Sequence, residues 1–78
     1  MMLKIIWKGG TLSLDKWPDK VEDMHSFLIN AKIASKGREV SLYFDQLGDY
    51  YRFGTMVSGN EKLKKWVGNS LVKLDIPL

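Results

Sequence analysis

Trp17, Val21, Met24, Leu28 and Ala31 recur at alternating spacings of four and three residues, and this stripe constrains the fold more than any other feature of the chain. The period is that of an α-helix with one apolar face, flanked by Phe27, and a face of that kind is stable only against a second layer. Pro18 suits the start of the helix through its fixed φ. Asp19 with Glu22 three residues on imitates a capping box, and Asp19, Glu22 and Asp23 suit the positive end of the helix dipole. Ile33 falls on the opposite side of the wheel. The helix is therefore expected to end between Ala31 and Ser35, with Lys36–Gly37 as the stop.

The second layer has to come from segments of period two. LKIIWKGGTLSL carries a β-branched and aromatic run, a Gly9–Gly10 pair and then alternation, which predicts a β-hairpin with strands at about 2–8 and 11–14. REVSLYF alternates Val40, Leu42 and Phe44 against Ser41 and Tyr43. YYRFGTMV, residues 50–57, is its expected partner strand across a loop of Gln46, Leu47, Gly48 and Asp49. In that register Phe44 lies opposite Tyr51, Tyr43 opposite Arg52 and Leu42 opposite Phe53. A second helix is expected in SGNEKLKKWVGN, residues 58–69, with Ser58 and Glu61 as a capping box and Leu63, Trp66 and Val67 on one face. The tail SLVKLDIPL fits either a helix or a strand. Gly68–Asn69 as a helix stop and the Val and Ile content favour a last strand over 70–77. The predicted order is ββαββαβ: an α+β domain spanning 1–78, with a small, mainly antiparallel sheet and two helices packed on one face.

At 78 residues the chain holds one small core. It has no cysteine, which excludes disulfides, thiolate chemistry and a cysteine-ligated zinc. The N-terminal apolar run breaks at Lys8 and Gly9, too short for a signal-peptide core or a membrane span, so a cytoplasmic setting without membrane contact is expected. The net charge of +3 is modest, and its positive excess sits at the two ends of the chain. There is no internal repeat or low-complexity run.

No stretch carries a catalytic, metal or nucleotide motif, so no enzyme activity and no cofactor are expected. His25, the single histidine, has no nucleophile at helical spacing beyond scattered serines, and it reads as a helix flank. Asp15, Asp19, Glu22 and Asp23 are explained by capping and solvation rather than by calcium. Gly9–Gly10 lacks the spaced glycines of a phosphate cradle.

Two features remain. The predicted hairpin would leave Tyr43, Tyr50 and Arg52 on its non-core face, either as a solvated cross-strand cation–π pair or as a protein-binding patch of the residue types enriched at interfaces. Lys62, Lys64 and Lys65 are either the wet face of the second helix or cations for the phosphates of single-stranded nucleic acid, with the exposed aromatics stacking bases. The expected function is a small non-catalytic binding module acting by protein–protein contact, an inhibitor or adaptor, with nucleic-acid binding as the alternative and a homodimer through sheet edges or faces as a third reading. In size and texture the chain is similar to the small inhibitors that phages and mobile elements encode, a likeness of scale that transfers no residue.

Overall fold

The computed structural model describes residues 3–75. Its elements are β1 (Leu3–Trp7), β2 (Gly10–Leu14), α1 (Val21–Ala34), β3 (Val40–Phe44), α2 (Leu47–Ser58), α3 (Glu61–Gly68) and β4 (Val72–Asp75). The strands form one sheet in the order β2-β1-β3-β4. β1 pairs antiparallel with β2 and with β3, whereas β3 and β4 run parallel. The class is α+β, but the sheet is mixed and the helices number three among the described residues. Of the expected end strands, Met2, Ile76 and Pro77 lie outside the described residues.

The alternation read from the sequence sets the two faces of the sheet. Leu3 and Ile5 of β1 lie opposite Phe44 and Leu42 of β3, and all four are buried together with Val40. Leu12 and Leu14 of β2 and Val72 of β4 extend the same face. Met24, Leu28 and Ala31 of α1, Phe53 of α2, and Leu63 and Trp66 of α3 close the core over it. All three helices therefore cover one face of the sheet. Each fully buried Leu or Phe here contributes about 1.5–3 kcal/mol relative to exposure. The other face carries Lys4, Ile6, Thr11, Ser13, Ser41, Tyr43 and Lys73, none of them buried.

The largest departure from the sequence reading is residues 47–58, expected as a loop and strand and found as helix α2. The same residues carry both periods. Tyr50, Phe53 and Val57 recur at three and four, while Tyr51, Phe53, Thr55 and Val57 recur at two. The core decides between them: Phe53 is buried and Tyr50, Met56 and Val57 are half-buried, whereas Tyr51 is 63% exposed and Thr55 is exposed too. Both edges of β3 are taken, by β1 and β4, which leaves no slot for a hairpin partner. α2 instead folds back so that Tyr50 and Phe53 pack on Phe44, with ring centroids 5.8 and 5.4 Å away.

The helix termini refine the expected caps. α1 begins after Lys20, whose backbone is extended and whose side chain makes no cap, so the Asp19–Glu22 box does not form. Glu22 and Asp23 still occupy the first turn, where the dipole favours them. At the other end Gly37 N donates to Lys32 O at 3.0 Å and Lys36 N to Ile33 O at 3.1 Å. That is a Schellman motif, in which Lys36 (φ 57°) and Gly37 (φ 72°) both take left-handed backbone. Ser58 closes α2 rather than capping α3. Asn60 takes that role, its side chain accepting from Leu63 N at 3.1 Å. At the β1–β2 turn Gly10 lies against the Trp7 ring, where an added Cβ would stand 3.1 Å from Cζ2. Close aromatic packing, and not positive φ, explains that glycine.

Candidate functional site

The predicted aromatic patch is distributed over the molecule. Tyr43 stays on the open sheet face, but its cross-strand neighbour is Lys4, whose Nζ lies 5.9 Å from the ring centroid. Arg52 sits on α2 and stacks over Trp17 at 4.5 Å, and Trp17 Nε1 in turn donates to Asp49 Oδ1 at 3.1 Å. Asp49, Arg52 and Trp17 thus clamp the first turns of α2 onto the segment before α1. Tyr50 packs edge-on against Phe44 and borders Tyr51 at 5.4 Å. Helix positions two apart do not face each other, so Tyr50 and Arg52 do not share a surface either.

The lysines divide as well. Lys64 pairs with Glu61 on its own helix at 3.5 Å. Lys62 and Lys65 lie on the opposite flank of α3, facing α1, and with His25, Ile29, Lys32 and Asn69 they line a crevice of about 230 Å³. Among the described residues no surface combines these lysines with Tyr43 or Tyr50.

A third surface went unread in the sequence because it depends on α2 being a helix. Tyr50, Phe53 and Val57 of α2, Val67 of α3, and Val72 and Leu74 of β4 line an open groove of about 340 Å³. Leu74 is 52% exposed at the rim of this apolar groove, an uncovered apolar surface of the kind that marks interaction sites. Leu42, Gly54 and Ser70 complete the lining, and Ser70 Oγ is buried with no hydrogen-bond partner among the described residues. The groove adjoins a sheet edge, since among the described residues β4 pairs only with β3. The spacing of Tyr50, Phe53 and Val57 was the signal that could have found it.

Among the described residues no group of three or more His, Cys, Asp or Glu side chains is placed to hold a metal ion. No helix there is long and apolar enough to cross a membrane. No protein family, curated protein or solved structure gives a significant match to the chain.

Proposed function

We propose that this protein is a small non-catalytic binding module that acts by protein–protein contact, as an inhibitor or adaptor, through the groove between α2, α3 and β4. The observation that supports this reading is an uncovered apolar groove lying beside a strand edge that is unpaired among the described residues. Its occupant is an extended segment of the partner. Added next to β4, such a segment gains main-chain hydrogen bonds from the strand edge, and its alternate side chains drop onto Tyr50, Val57 and Leu74. Of the tyrosines and arginine singled out in the sequence, Tyr50 belongs to this surface. Tyr43 and Arg52 have other neighbours. The setting proposed for such a module is cytoplasmic.

Selection of random peptides displayed on phage against the immobilised protein, counter-selected with Leu74→Glu, tests the proposal. Leu74 is half exposed, so the variant keeps its thermal midpoint. The expected ligands are extended, alternate apolar with polar residues, shift the amide resonances of Val72–Asp75 and lose binding to Leu74→Glu. Ligands that bind the variant unchanged, or a groove that selects none, would sink the assignment. A molecular mass that rises with concentration and falls back in Leu74→Glu would make the partner segment β4 of a second copy.

A further inference from the structure

The crevice between α1 and α3 lies on the other flank of α3 from the groove and stands independently of it. On α1, His25, Ile29 and Lys32 follow one another at spacings of four and three. Lys62 and Lys65 of α3 and its C-cap residue Asn69 do so at three and four, and the two flanks face each other. Trp66 forms the floor, only 4% exposed, its Nε1 donating to Leu28 O at 2.8 Å. Lys32 Nζ donates to Asn69 O at 3.2 Å. Glu22, Asn60 and Glu61 line one depression where both helices begin, and Lys32 Nζ reaches Asn69 O where both end, so α1 and α3 run in the same direction.

Charge and hydropathy are arranged along this crevice. Glu22 and Glu61 stand at the N-terminal end with Lys62 beside them, a formal charge of −1 from two carboxylates and one ammonium, and Lys65 and Lys32 lie further along toward the C-terminal end. Ile29 opens to solvent beside them, and Ile33, one turn further along α1, is 69% exposed. Among the described residues nothing covers this isoleucine pair on an otherwise polar helix flank. Nucleic acid fits this surface poorly. Its bases need exposed aromatic faces, and the Trp66 ring is buried, while Glu22 and Glu61 would repel a phosphodiester running the length of the crevice.

We propose that the crevice between α1 and α3 seats an amphipathic helix of a partner protein, antiparallel to both, with apolar residues on Ile29 and Ile33 and acidic residues at Lys32 and Lys65. The orientation follows from the dipoles. An antiparallel helix brings its N-terminus, where acidic residues are favoured, to the lysine end of the crevice and its C-terminus, where basic residues are favoured, to Glu22 and Glu61.

The probe is a synthetic amphipathic peptide with leucines at i, i+3, i+4 and i+7, aspartate and glutamate in its N-terminal half and lysine in its C-terminal half. Controls are a scrambled peptide of the same composition and a thymidine oligonucleotide. Binding is followed by fluorescence anisotropy, and the site by the methyl resonances of Ile29 and Ile33 and the indole N–H of Trp66. The amphipathic peptide is expected to bind and to move these signals. Lys32→Glu with Lys65→Glu should weaken it roughly tenfold, and a peptide with lysine in its N-terminal half should recover the loss. Leu74→Glu should leave this binding unchanged, which separates the crevice from the groove. Absence of binding, shifts confined to other residues, or equal affinity for the scrambled peptide or the oligonucleotide would overturn the proposal.

Discussion

Replacing Gly54 separates the helix found at residues 47–58 from the strand that the same residues suggest, because the two structures rank the substitutes in opposite orders. Gly54 is exposed in the interior of α2, its φ is not positive, and a Cβ built on it meets nothing within 4 Å. Nothing in the backbone or the packing therefore opposes a side chain. Alanine in an exposed helix interior is favoured over glycine by about 0.8–1 kcal/mol, and valine recovers less because its branched Cβ loses rotamer freedom against the preceding turn. A pleated surface instead favours valine over alanine. For a domain of this size the alanine gain raises the thermal midpoint by about 4–8 °C. Urea unfolding of the unsubstituted protein, Gly54→Ala and Gly54→Val, with a common slope, gives the comparison directly. The expected order of stability is alanine, valine, glycine. Valine above alanine, or alanine no better than glycine, would refute the helix. Gly54 also lines the groove, so the stabilised Gly54→Ala variant is expected to bind groove ligands less well, a trade of stability against access.

Lys36→Gly relieves a left-handed non-glycine residue in the Schellman motif and should raise stability by up to about 1 kcal/mol, whereas Gly37→Ala should lower it by about the same amount; unfolding midpoints of the two variants check the opposed signs. Asn60→Ala removes the side-chain cap of α3 and should cost about 1 kcal/mol, while Ser58→Ala should stay within about 0.5 kcal/mol. A larger loss at Ser58 than at Asn60 in the same denaturation series would restore the capping box that the sequence suggested.

Where local pattern and tertiary neighbours agree, the sequence was legible. The stripe from Val21 to Ala31 became α1, while Trp17 and Pro18, read as its start, lie in the segment before it, where Trp17 packs on α2 instead; Gly9–Gly10 marked the first hairpin, and Lys36–Gly37 stopped the helix where expected. Val72–Asp75 is a strand, as Val and Ile had favoured. The failure at 47–58 has a non-local cause. An aromatic run with both periods is settled by which edge of β3 is free, and that depends on β1 and β4, strands far away in sequence. The site suffered from the same cause. Tyr43 and Arg52 are opposite each other only in the hairpin, and their actual neighbours, Lys4 and Trp17, come from the first quarter of the chain. The lysines could be assigned to one helix from spacing, but their division between a Glu61 pair and a crevice shared with His25 and Lys32 required knowing where α1 lies.

Among the described residues β4 is the shortest strand, has a single neighbour, and reaches it by a parallel crossover through two helices. Amide exchange should rank the sheet accordingly, with β1 and β3 protected up to the global unfolding free energy and β4 released by a smaller local opening. The wall of the groove is then also the first part of the sheet to detach. A ligand that completes the edge of β4 would draw its binding energy partly against that opening, adding about 2.7 kcal/mol of local protection at a hundredfold excess over its Kd. Capture of a partner and the final folding of the sheet would be one coupled equilibrium, read out at the amides of Val72 to Asp75.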